Sequence, residues 1–502
     1  MIQFLEKYWK AKPLILILIA GGVFRLLSVA FSKGYGMQDD HFLVIEVAQS
    51  WVDGHDTWLP ENRSVSAPTG HSMFYTGLHY MLFLFLESIN ITGPQIKMYI
   101  VRFIHAVYSL SMIWLGYKIT FQIAGKNAAK NVGLILALLW FFPILSVRNL
   151  VEFVCIPPLL YATWIILKNE SRPDRRKVLP FISAGLIAGI AIAFRFHSIL
   201  FVGGLGLVML LRKRILGAFL FGLFCFISVF ITQVTDFFTW GFPFAEMGEY
   251  IRYNFQNPNT YFTQKWYLYL LFIAGIMVPP VSIFLLFGFV FNWKKHLLLF
   301  LPALIFLLFH SYFPNKQERF ILPVIPFIII LGYVGWNDFI NRGWLKNHAL
   351  LKYSWAFFWI INTILVCAVS PAYSKKSRIE AMEYLSKKDD FQNFILEYSH
   401  KDNFRLPPLF YLGKWVSYFH VTKKHKLEKY EKLLETMNDK KKPNYVIFVD
   451  QENLENRIKE LKKVFPDCTF EAKTEPSYLD KVLHYLNPVN KNESCYIYKI
   501  GT

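Results

Sequence analysis

Apolar runs close to bilayer-spanning length alternate with short polar stretches from residue 13 to residue 371, and beyond 372 the pattern shortens. The runs fall near 13–31, 98–119, 131–147, 150–167, 179–195, 197–211, 215–234, 266–291, 297–313, 321–336 and 354–371. These predict about eleven crossings, several of them short for the ~17 to 25 residues of a full helical span. Basic clusters mark the cytoplasmic side: Lys7, Lys10 and Lys12, Lys126 with Lys130, SRPDRRK from Ser171, Arg212 to Arg214, Lys294-Lys295, and Arg342 with Lys346 and Lys352. An odd number of crossings then puts the tail opposite the N-terminus. The first run has lysines before it and no small-residue cleavage site after it, so it reads as a retained span.

One apolar stretch, HSMFYTGLHYMLFLFLESI from His71, would reverse every later loop if it crossed. It is read as a helix in the interface, with His41 to Asp53 a second surface-lying helix, so that residues 32–97 form one external segment. In the tail, LEKYEKLLETM and ENLENRIKELKKVF carry helical periodicity, while NYVIFVD and SCYIYKI read as strands. The expectation is a polytopic α-helical domain over 1–371 and a small external α/β domain over 372–502, long enough to bury its own core.

Composition agrees: 54% of residues are hydrophobic and 18% charged, against roughly 25% charged in soluble domains. The net charge of +19 is spread over short loops and the tail, which fits positive-inside loops and gives no reason to expect nucleic acid. Cys155, Cys225 and Cys367 lie in apolar runs and read as small core residues, whereas Cys468 and Cys495 could form a disulfide in an oxidising compartment. Neither a CxxC nor a metal-ligand spacing occurs, the tail has no Gly-rich phosphate loop, and no metal or cofactor is expected.

Charge is scarce in the apolar part, so each ionisable residue near a span end is a functional candidate. With the topology above they gather on the external side. Asp39, Asp40 and Glu46 lie in the first loop with Arg63, and Arg102 opens the second span. Arg148, Asn149 and Glu152 fill one turn, Arg195 another, and Asp236, Asn254 and Asn257 lie in a long loop. His310, Lys316, Glu318 and Arg319 follow the ninth span. Carboxylates opposed to arginines beside a membrane surface suit an anionic, lipid-borne substrate, with guanidinium groups on a phosphate and a carboxylate as general base. The bland alternatives are snorkelling or paired structural charges and, for Asp39-Asp40, a helix N-cap.

The ordered set resembles glycosyltransferase family 22, the C-type membrane mannosyltransferases that use dolichol-phosphate-mannose. Its acidic motif H-P-D-E-x-x-Q-x-x-E is similar to MQDDHFLVIE, placing Asp39 and Asp40 at the acidic pair and Glu46 at the last acid. Arg63-Ser64 with Pro68, Arg102, Asn149 with Glu152, Arg195, and Asp236 with Asn254 and Asn257 look like its later motifs. So do YFTQKWYLY, which holds Trp266, and NKQERF, which holds Lys316 and Arg319. Met37, Asn315 and Gln317 stand where the family has two histidines and a glutamate.

The resemblance implies a GT-C fold with in-plane helices in the first external loop. It also implies inverting transfer of a hexose, mannose by family, from a polyprenyl-phosphate donor to a hydroxyl of a lipid-linked or glycan acceptor. Asp39 or Asp40 would be the base, with Asp39 aligned to the motif's Asp. Arg195, Lys316, Arg319 and His310 would meet the donor. Glu46, Arg63, Arg102, Asn149, Glu152, Asp236, Asn257 and Trp266 would support the site or the acceptor. A bacterial inner membrane with a periplasmic site fits, as does an endoplasmic-reticulum membrane with a lumenal one. The competing readings are a flippase of lipid-linked saccharide, a surface-polysaccharide polymerase or ligase, and a membrane scaffold.

Overall fold

The computed structural model describes residues 2–55, 68–170, 178–260, 263–343, 348–424, 442–487 and 493–500. Arg63, the SRPDRRK stretch and the LEKYEKLLETM segment lie outside the described residues. The chain packs as two units, one of Met1–Ala30, Leu59–Leu78 and Ile100–Pro371, the other of Phe31–Trp58, His79–Tyr99 and Ala372–Thr502.

Among the described residues six helices are long and apolar enough to cross a membrane: Pro13–Phe31, Pro94–Leu138, Val151–Glu170, Ile215–Trp240, Glu318–Asn341 and Ala349–Val369. Four shorter apolar helices, Leu179–Phe194, Phe196–Leu211, Val281–Phe291 and Leu297–Tyr312, complete the set. The first expected span is matched residue for residue. Pro94–Leu138 runs past the expected end at 119 and breaks at Gly125, whose φ of 78° and ψ of −176° only glycine adopts readily. The expected run 266–291 is two helices, Leu268–Ile276 and Val281–Phe291, because Pro279 and Pro280 cannot continue the hydrogen-bond ladder.

Two buried polar residues tie spans of the first unit together. Arg25, buried in Pro13–Phe31, donates to Ser109 Oγ at 2.8 Å and to the carbonyls of Gly21 and Ala137 at 3.0 Å. Asn362 closes the unwound turn at 138–141, accepting from Trp140 N–H at 2.9 Å and donating to the Leu138 carbonyl at 2.8 Å. The helices Val281–Phe291 and Ile325–Asn341 touch backbone to backbone, and a Cβ on Gly288 would lie 2.0 Å from the Gly332 carbonyl oxygen. Small residues let membrane helices approach in this way. Cys155 and Cys225 are buried as expected, but Cys367 is exposed on its helix.

The second unit holds a five-stranded mixed sheet of order β2-β1-β3-β5-β4, with β1 Phe394–Tyr398, β2 Phe419–Thr422, β3 Tyr445–Val449, β4 Thr469–Thr474 and β5 Cys495–Lys499. Strand β1 lies parallel to β2 and β3, while β5 runs antiparallel to β3 and β4. Ile395, Val421, Val446 and Phe448 are buried in the sheet, and Leu461 of the helix Leu454–Val464 packs in the same core. Arg457, on that helix, donates to the Glu397 carboxylate at 2.6 Å and to the Val449 carbonyl at 3.0 Å, so a buried cation closes the layer. Cys468 and Cys495 are both free. Cys495 pairs with Thr474 and Lys499 with Thr469, so the thiols sit at opposite ends of the ladder. At about 3.3 Å per residue that is roughly 20 Å, far beyond the ~7 Å a disulfide tolerates.

The stretch after the first span also belongs to the second unit. Gln38–Asp40 starts a helix, His41–Glu46 is wound as a π-helix, and Val47–Val52 returns to α. Its inner face is well buried, from His41 to Ser50. Gln49, Glu87 and Lys97 tie it to the next segments, with Lys97 Nζ 2.7 Å from Gln49 Oε1 and 2.6 Å from Glu87 Oε1.

Candidate functional site

In the first unit, three chain breaks bring three charges together. The helix Phe142–Val147 ends where Arg148 turns extended, and Glu152 falls in the following short helix Val151–Val154. Leu179–Phe194 ends at Arg195, extended at φ −147° and ψ 111°. Arg319 stands in the 3-10 turn Glu318–Val324. Leaving the helix at these points aims each side chain across the unit instead of out to lipid. Glu152 is fully buried; its Oε1 lies 3.0 Å from Arg195 Nη2 and 3.5 Å from Arg319 Nε. One carboxylate thus draws two guanidinium groups to one place, and planar guanidinium forks are the side chains best matched to phosphate oxygens.

Aromatic faces hold the cations. The Arg195 guanidinium lies 5.4 Å from the Phe320 ring and 5.7 Å from that of Tyr250, and Arg319 lies 5.8 Å from Phe320. Arg319 Nε also donates to Gln317 Oε1 at 2.8 Å. Gln317, which stands where the family motif has glutamate, therefore orients the arginine without neutralising it.

Lys316 is placed differently. Its ammonium donates to the carbonyls of Phe313, Ser311 and His310 at 2.5, 2.8 and 3.2 Å, using all three of its N–H groups to cap the helix Leu297–Tyr312. Burial pushes its pKa below the ordinary lysine value.

His310 donates through Nδ1 to the Phe306 carbonyl at 2.8 Å, so in the neutral ring its Nε2 accepts from His197 Nδ1 at 3.3 Å. His197 Nε2 is left as a buried acceptor. Both rings line a cavity of about 150 Å³ whose other walls include Phe196, Tyr250, Phe309 and Phe320. His197 went unassigned in the sequence; its only signal was the RFH of the Arg195 turn. A second, wholly apolar groove of about 530 Å³ lies between Ile199–Leu211 and Ile215–Thr232, and Ile199 and Met247 line both.

Asp236 lies in a separate polar knot of the same unit. It is buried and accepts from the Glu246 backbone N–H at 2.9 Å. Glu246 Oε2 in turn accepts from the N–H groups of Thr69, Gly70 and His71 at 2.8, 2.6 and 3.1 Å, and Oε1 from Trp240 Nε1 at 2.9 Å. Burial pushes the Glu246 carboxyl up to about 7, opposed by the His71 and Gly70 N–H groups and helped by the Asp236 charge. Gly70 has a φ of 75°, which lets the loop fold over this carboxylate. Arg102 is buried and donates to the Val29 carbonyl at 3.1 Å, while Asn149 is buried beside Arg148. Asn257 donates to the Tyr253 carbonyl at 3.0 Å, and Trp266 is largely exposed.

The acidic pair belongs to the second unit. Asp39 is exposed and Asp40 buried. Neither acts as an N-cap: the helix Gln38–Asp40 is preceded by Met37 with no side-chain cap, and Asp40 makes no side-chain capping bond to the π-helix that follows. Glu46 is buried, and its Oε1 accepts from the Phe410 N–H at 3.0 Å. Also in this unit, His400, Asp450 and Glu452 converge, but Lys401 Nζ already donates to Asp450 Oδ2 at 2.5 Å.

No curated protein matches the chain. Among solved structures it is similar to ArnT from Cupriavidus metallidurans bound to undecaprenyl phosphate, at 12% identity and a TM-score of 0.61, over 97% of this chain and 98% of that one. The apo state of the same protein gives 13% identity and a TM-score of 0.62, over 96% and 97%. The archaeal oligosaccharyltransferase AglB from Archaeoglobus fulgidus, in complex with an inhibitory peptide and a dolichol-phosphate, gives 12% and 0.51 over 90% of this chain and 70% of that chain. At such identities the likeness shows the fold: a polytopic helical GT-C protein with a small C-terminal sheet. The pattern of the Alg9-like mannosyltransferase family matches residues 15–402. Spanning most of the sequence, that match makes the chain a member of the Alg9-like mannosyltransferase family and a multi-pass membrane glycosyltransferase.

Proposed function

We propose that the protein transfers a hexose, mannose by family, from a polyprenyl-phosphate sugar to a hydroxyl of a lipid-linked or glycan acceptor, with inversion and without a cofactor. The observation that carries this reading is the Glu152-tethered arginine pair with a histidine-lined apolar cavity among its neighbouring residues. Guanidinium groups match phosphate oxygens in geometry and charge. A cavity of about 150 Å³ takes roughly one benzene-sized group, close to one isoprene unit, and the apolar groove sharing Ile199 and Met247 continues the path for a longer tail. Similar structures bound to undecaprenyl phosphate and dolichol-phosphate support the same donor class.

In this scheme the acceptor oxygen attacks the anomeric carbon from the face opposite the phosphate. The bond to the phosphate oxygen breaks, and polyprenyl phosphate leaves. Arg195 and Arg319 stabilise the charge that builds on the phosphate. Lys316 fixes the NKQERF turn that carries Arg319, and His310 and His197 line the donor cavity. The acceptor's proton goes to Asp39 or Asp40; exposure favours Asp39. Residues 1–371 make up the catalytic membrane domain and 372–502 an external domain. The site faces the periplasm of a bacterial inner membrane, the lumen of the endoplasmic reticulum being the other setting with the same topology.

Purified protein, given radiolabelled polyprenyl-phosphate-mannose and a lipid acceptor extract, is expected to form a new glycolipid. Asp39→Asn or Asp40→Asn should slow this about 100-fold or more, the scale of a lost general base. Label that crosses the bilayer without a new bond would point to a flippase. No transfer from any polyprenyl-phosphate hexose would overturn the transferase scheme, and normal rates in both variants would overturn the base.

A further inference from the structure

His41 follows the acidic pair directly, is fully buried, and has no hydrogen-bond partner for either ring nitrogen among the described residues. It is held instead by rings. Tyr35 stacks on it at 4.4 Å with planes 10° apart, and Tyr411 stacks on it at 5.5 Å and 16°. Phe410 meets its edge at 6.2 Å and also stacks on Phe83 at 5.8 Å.

The winding of this turn explains the arrangement. His41 and Glu46 are five residues apart, which on an α-helix at about 100° per residue would point them about 140° away from each other. On the π-helix they share a face, with His41 Nε2 3.5 Å from Glu46 Oε1. The same Glu46 oxygen accepts the Phe410 N–H at 3.0 Å. The short helix Leu409–Leu412 thus grips both ends of the π-turn, by a backbone N–H at Glu46 and a ring at His41. π-turns strain a helix and recur at functional sites.

We infer that Tyr411 and His41 are positioning residues for the transfer: the C-terminal segment keeps the π-turn wound and thereby sets the direction of Asp39 and Asp40 at its start. This rests on the reading that one of those aspartates takes the acceptor's proton. The tail then acts on the reaction through the Tyr411 ring and the Phe410 N–H.

The test uses the full-length protein in nanodiscs, with kcat measured per donor-binding site so that misfolded protein is not counted. Tyr411→Ala and His41→Leu are expected to lower kcat at least tenfold, with the KM for polyprenyl-phosphate-mannose within twofold of wild type. Tyr411→Phe and His41→Phe keep the stacks and should stay within threefold. If Tyr411→Ala does not bind donor, Tyr411→Leu, which fills the slot without a ring, carries the same tenfold expectation. Asp39→Asn and Asp40→Asn run in parallel. Full activity in both would sink the base reading, whereas loss in one of them with wild-type kcat in Tyr411→Ala, Tyr411→Leu and His41→Leu would overturn the positioning role alone.

Discussion

Glu152 holds Arg195 at 3.0 Å from within a fully buried turn, and the same carboxylate oxygen lies 3.5 Å from Arg319. Removing the negative charge leaves two guanidinium groups facing one another without their counter-ion. Glu152→Gln keeps the shape and is expected to cost about 3 kcal/mol or more of stability, the scale of breaking a buried pair. Thermal unfolding in detergent should fall by several degrees. An unchanged transition would show that the arginines are held by their rings alone.

Arg195→Lys retains the charge but not the planar fork or the stacking on Tyr250 and Phe320. If the guanidinium grips the donor phosphate, kcat/KM for the donor should fall at least tenfold, about 1.4 kcal/mol of transition-state stabilisation. Titration with polyprenyl phosphate alone should weaken in parallel. An equal affinity for polyprenyl phosphate in the variant would move the phosphate away from Arg195.

Glu246 gives the first unit a pH dependence. Burial raises its carboxyl from the ordinary 4.5 to about 7 in the folded chain, against the pull of the His71 and Gly70 N–H groups. Between those values the folded chain keeps a proton that the unfolded chain releases. The stabilisation is therefore complete below about 4.5 and lost as pH rises through about 7. The apparent melting temperature of the wild type should decline across that window, and Glu246→Gln, which cannot ionise, should flatten the decline. A wild type and variant with parallel pH profiles would refute the assignment.

Much of the fold was legible because a membrane span announces itself by length. Pro13–Phe31 and the strands β3 and β5 stand where hydrophobic pattern put them. Strand β1, FILEY, escaped because it holds a glutamate and a single β-branched residue, whereas the equally buried β3, YVIFV, is β-branched or aromatic throughout. Edge strand β4, TFEAKT, escaped because it is largely exposed. In the site, Glu152, Arg195 and Arg319 were legible as charges at span ends, where any ionisable group is conspicuous. The role of Glu246 was not, since three of its partners are backbone N–H groups of 69–71, which leave no mark in side-chain identity. The π-turn was equally silent: HFLVIE reads as ordinary helix, and only the folded backbone reveals that it is wound wider, bringing His41 and Glu46 to one face.

The bond between Phe410 and Glu46 joins residues 364 positions apart in the chain. At synthesis rates of about 5–20 residues per second, the acidic turn leaves the ribosome roughly 20–70 s before the segment that clasps it. Through that interval the nascent chain carries Glu46 without the Phe410 N–H and His41 without the Tyr411 ring. A ribosome that stops before Leu409 would release a chain whose π-turn lacks both of these contacts.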